Sequence, residues 1–105
     1  MNISVWLPEG VELPNLEELV RSLVTEKPYS FEVGQKTQDM VLVHLNVCEF
    51  DAMARLPIEL VEDMARSVAS QLNVALGRVY TVSCQVLMNM RTFTYTEPAY
   101  VGISG

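Results

Sequence analysis

Hydrophobic and polar residues alternate along several stretches of this chain, and in others the hydrophobic ones recur every third or fourth position. The longest alternation precedes Met90, where Tyr80, Val82, Cys84, Val86 and Met88 interleave with Thr81, Ser83, Gln85 and Leu87. A period of two suits a pleated strand with one face on a core and the other largely wet. Ile3, Val5 and Leu7 alternate with Ser4 and Trp6 until Pro8-Glu9-Gly10 breaks the pattern. Tyr29, Phe31 and Val33 predict a second strand, and the polar stretch from Gly34 to Gln38 predicts a turn. Val41, Val43, Leu45 and Val47 form the inner row of a third strand, against Leu42, His44 and Asn46. So short a loop predicts that the second and third strands are antiparallel neighbours.

Two segments carry the helical period instead. Leu16, Leu19, Val20, Leu23 and Val24 fall on one stripe, with Pro14 in the first turn and Glu17 and Glu18 where the helix dipole favours negative charge. Glu17 and Arg21 are spaced to pair, and Lys27-Pro28 stops the helix. Residues 49–56 read as a connector, with one helical turn capped by Asp51. Pro57 then opens a second helix whose stripe is Leu60, Val61, Met64, Ala65, Val68 and Leu72, with Glu62 placed to pair with Arg66. Gly77 occupies the left-handed position that often follows a helix.

Near Met90 the inner positions shift from even to odd numbers, since Phe93 and Tyr95 follow Met88. Either one bulged strand continues to Thr96, or a hairpin turns near Asn89-Met90-Arg91 into a fifth strand.

The order strand, helix, strand, strand, helix, strand predicts an α+β two-layer sandwich, ferredoxin-like (β-α-β-β-α-β), with the first and third strands central. A length of 105 residues fits one domain spanning 1–105, with 97–105 as a flexible or docking tail. The face away from the helices would then display Trp6, Leu42, His44, Asn46, Gln85 and Leu87, with Trp6 within reach of His44. Clustered apolar groups on an open face mark interfaces. These residues are the candidate partner-binding surface.

Charge narrows the partner. Thirteen acidic against seven basic side chains leave a net charge of −6, which disfavours direct nucleic-acid binding and fits a basic protein partner. Glu17, Glu18, Glu59, Glu62 and Asp63 form the candidate acidic surface. No apolar run approaches the ~20 residues of a membrane-spanning helix. Met1-Asn2-Ile3-Ser4 lacks the basic start and apolar block of a secretory signal, so a cytoplasmic location without membrane contact is expected.

Candidate chemistry is sparse. The glycines are isolated, so no phosphate-cradling loop is expected, and the zinc-protease, nucleophile-elbow and calcium-loop patterns are missing. Cys48 and Cys84 should face opposite sides of the sheet, which rules out a disulfide between them; with one histidine they fall short of a structural zinc site. Neither metal nor cofactor is expected. The resulting expectation is a non-enzymatic protein-interaction module of accessory, regulatory or inhibitor type, including one of viral or phage origin. It would dock on a larger basic protein and could form a homodimer. The alternative is a small-molecule site or minor enzyme between subunits, with His44, Tyr29 or Tyr100 as polar contacts.

Overall fold

The alternating segments do form strands, but their order across the sheet departs from what loop length implies. The computed structural model describes residues 2–23, 30–36, 39–48 and 52–100. In chain order these form β1 (Asn2–Pro8), α1 (Leu16–Leu23), β2 (Ser30–Lys36), β3 (Met40–Val47), a 3-10 helix (Ala52–Arg55), α2 (Ile58–Ala75), β4 (Thr81–Met88) and β5 (Arg91–Glu97). The strands make one mixed sheet in the order β2-β1-β3-β4-β5. β1 runs parallel to β2, β3 runs parallel to β4, and β1 meets β3 antiparallel.

Two β-α-β units thus lie side by side, joined through their first strands. The first and third strands are central, as expected, but the ferredoxin-like order is not matched. β2 does not pair with β3; it pairs with β1, which separates the two. The link from Lys36 to Met40 permits this, because four residue steps reach roughly 13 Å and crossing one intervening strand needs about 10 Å.

The inner rows are those the alternation predicts. Val5, Val43, Val82 and Cys84 are fully buried, and α2 supplies Val61, Ala65, Val68, Ala69 and Leu72 to the same core, joined by Leu16 and Val20 of α1. α2 packs over β4 and β5. Leu60 is the exception in its stripe at 51% exposure, while Ala69 and Asn73 are buried in its stead. Val33, on edge strand β2, is also half exposed.

Pro14 and Asn15 form a turn ahead of α1 rather than its first helical turn, with Asn15 at φ 65°. Leu23's side chain, Val24, Lys27, Pro28, Gln38 and Asp51 lie outside the described residues. At its other end α2 closes with a Schellman motif. The Gly77 N–H donates to Val74 O and the Arg78 N–H to Asn73 O, with Gly77 at φ 74°.

The phase shift near Met90 is a hairpin. Asn89 and Met90 sit at φ 51° and 63°, the left-handed pair of a type I′ turn, and Met88 faces Arg91 across the ladder. A two-residue turn places an even-numbered residue opposite an odd one, so the inner row changes parity without a bulge.

The open sheet face

The described helices lie on one side of the sheet. The other side carries Ser4 and Trp6 of β1, Leu42, His44 and Asn46 of β3, Ser83, Gln85 and Leu87 of β4, and Thr92, Thr94 and Thr96 of β5. Strand register fixes the neighbours. Trp6 faces Leu42, while His44 lies between Ser4 and Gln85. Asn46 lies beside Asn2 and Leu87. Trp6 and His44 are therefore diagonal neighbours, and both line a concavity of about 510 Å³ with Ser4, Glu32, Asn46 and Gln85. The six open-face residues expected from the sequence do share this face, and all but Leu42 line that concavity.

Trp6 also has a structural task that alternation does not disclose. Its register partner in β2 is Gly34, and a Cβ at that glycine would overlap Cζ3 and Cε3 of the indole. The ring therefore lies on the glycine backbone, covering a strand position with no side chain of its own. Gly34 belongs to β2, not to the turn that its polar surroundings predict. An isolated glycine amid β-forming residues is a sign of such close approach, and that was the available clue.

The face extends further toward both edges than the initial set. At the β2 edge, the Ser30 hydroxyl donates to Asn2 Oδ1 at 2.8 Å. Toward β5, Ser83 Oγ and Thr96 Oγ1 lie 3.2 Å apart, and Thr92 joins the concavity's lining. Thr92 and Thr96 are legible only once β5 is known to be a separate strand.

The acidic residues occupy the opposite layer. Glu17 and Glu18 are exposed on α1, and Glu59, Glu62 and Asp63 on α2. Glu17 pairs with Arg21 at 3.5 Å, as the spacing predicts. Arg66 reaches Asp63 at 3.4 Å rather than the expected Glu62, and its guanidinium lies 5.3 Å from the Tyr95 ring centroid. The open face is nearly uncharged by comparison; among the described side chains its strand positions hold Glu32 on edge strand β2, and otherwise neutral polar or apolar residues and His44.

Tyr100 stands apart from His44. Its N–H donates to Arg78 O at 2.7 Å and its ring lies under the Arg78 guanidinium. Tyr29 lies outside the described residues. No disulfide joins Cys48 and Cys84; Cys48 is exposed, and burial pushes the Cys84 thiol up from 9.0 to about 12. Among the described residues no cluster of His, Cys, Asp and Glu could hold a metal ion, and no helix is long and apolar enough to cross a membrane. Comparison with protein-family models, with curated proteins and with solved structures finds no match to this chain.

Proposed function

We propose that this chain is a non-enzymatic protein-interaction module, acting in the cytoplasm as an accessory, regulatory or inhibitor protein on a larger, basic protein partner. The observation that carries the reading is the sheet face turned away from the described helices. It is concave, nearly uncharged, and centred on half-buried Trp6, Leu42, His44 and Gln85, with Leu87 43% exposed. A polar and apolar mixture with an aromatic near its centre is the composition of a non-obligate interface.

The acidic helices lie on the far side and do not touch a partner seated on the sheet. Their contribution is a long-range negative field that speeds encounter with a basic protein and weakens as salt rises. Contacts and steering thereby come from separate layers of one small domain.

A second reading is supported by the concavity itself, where His44, Asn46, Gln85 and Glu32 converge beside the indole. Completed by a second subunit, such a hollow would take a small polar molecule.

The test uses Leu87→Ser and Gln85→Ala, which alter the face without touching the core. Partner is isolated on the wild-type chain and its affinity measured against each variant, with melting temperatures in parallel. Weaker binding at unchanged melting supports the sheet face as the docking surface. Binding that survives both changes, but is lost when Glu62 and Asp63 are neutralised, overturns it.

A further inference from the structure

The sheet ends at β5, and the sequence of that strand is complementary to itself. From Arg91 to Glu97 it reads Arg-Thr-Phe-Thr-Tyr-Thr-Glu. Reversed about Thr94, arginine meets glutamate, threonine meets threonine, and phenylalanine meets tyrosine. We propose that two copies of this chain pair antiparallel through β5, with a two-fold axis at Thr94, joining their sheets into one.

The backbone parity supports this register. Residues flanking a two-residue turn form a hydrogen-bonded pair, so Met88 and Arg91 exchange bonds, and alternate pairs from there along the ladder do the same. Arg91, Phe93, Tyr95 and Glu97 therefore turn their backbone groups toward β4. Thr92, Thr94 and Thr96 turn theirs to the outer edge, where no described strand meets them. An axis at Thr94 sets Thr94 against its own copy and Thr92 against Thr96 of the second copy. All the outward N–H and C=O groups are then used, in about six interstrand bonds.

Side chains agree with the backbone. On the helix side, Phe93 meets Tyr95 and Arg91 meets Glu97, each twice by symmetry. Aromatic pairs and opposite charges are among the cross-strand combinations that stabilise a sheet. Phe93 and Tyr95 are only half-buried in the single chain and line a hollow of about 330 Å³ with Glu62, Ala65 and Arg66. The second copy would cover that hollow. Tyr95 and Glu97 are already set in place, since the Tyr95 hydroxyl donates to Glu97 Oε2 at 3.1 Å and Ser70 donates to the same oxygen at 3.4 Å.

The other edge lacks this property. Folding β2 about Val33 sets Ser30 against Lys36, Phe31 against Gln35 and Glu32 against Gly34, with no matched pair among them. Between its terminal charges, Arg91 and Glu97, β5 has no further charged residue, proline or bulge to guard the edge. An edge left this way pairs readily, and its own sequence selects its own copy as the partner.

The full-length chain tests this by solution mass together with amide exchange. The mass should rise from one chain to two with concentration, and the amides of Thr92, Thr94 and Thr96 should become protected in the same range. Thr94→Pro should hold the chain monomeric without removing any bond to β4, because that N–H points outward. Arg91→Glu sets like charges opposite each other at both ends and should weaken the dimer about ten-fold or more. Adding Glu97→Arg should restore it, whereas Trp6→Ala should leave it unchanged, separating this edge from the open face. A mass of one chain up to the solubility limit overturns the proposal. So does fast exchange of these amides at every concentration, or a dimer indifferent to both Thr94→Pro and Arg91→Glu.

Discussion

The Trp6 indole packs against Gly34, so a residue expected to serve only an outside partner also completes the sheet it belongs to. The indole covers the backbone of edge strand β2 at Gly34. Trp6→Ala should therefore cost stability as well as binding. Gly34→Ala forces the ring off its seat, with an expected loss of about 1–3 kcal/mol. The two changes should not add, since the alanine methyl clashes only while the ring is present. Denaturant unfolding of both single variants and the double variant measures the coupling; strict additivity would separate the two residues.

Asn73 is 2% exposed and holds three parts of the fold together. Its side-chain amide donates to Tyr80 O at 2.9 Å, just before β4, and to Pro98 O at 3.3 Å, just after β5. Removing it strands two carbonyls near the core. Asn73→Ala should destabilise the chain by about 2–3 kcal/mol, and amide exchange should quicken around Ala99 and Tyr100. Asn73→Asp should not rescue it, because a carboxylate offers no donor to either carbonyl.

Met90 occupies the second left-handed position of the hairpin turn and is 99% exposed. A side chain with a Cβ is strained there, and this one has no burial to offset the strain. Met90→Gly yields the Asn-Gly pair that type I′ turns favour. It should raise stability by about 0.5–1 kcal/mol, seen as a higher melting temperature with β5 register unchanged.

The Cys84 thiol has its folded value raised to about 12 by burial. The unfolded chain ionises near 9, so between about 9 and 12 the folded state holds a proton that the unfolded state has lost. Stability should then fall with rising pH, by at most about 1.4 kcal/mol per pH unit from this group. Cys84→Val should flatten that part of the pH profile relative to wild type. In the native chain a thiol reagent should label Cys48 and spare Cys84 until the protein unfolds.

What the chain's pattern determined by itself is which segments are strands or helices and which way each side chain faces. Val43 and Val82 are buried and Trp6 and His44 lie on the far face because a period of two is a local property of the backbone. Leu60 and Val33 are exposed despite their places in the pattern, because burial depends on what packs opposite a position, which spacing cannot convey. The hairpin at Asn89-Met90 stayed open between two readings because methionine is an unusual turn residue and left only the parity change as a signal. Strand order was decided by the tertiary structure. Alternation says which face a strand buries but nothing about which strand lies beside it, and β2 could reach either β1 or β3 within the same chain length. Its place beside β1 set Gly34 under Trp6, and the same ordering leaves β5 as the outermost described strand.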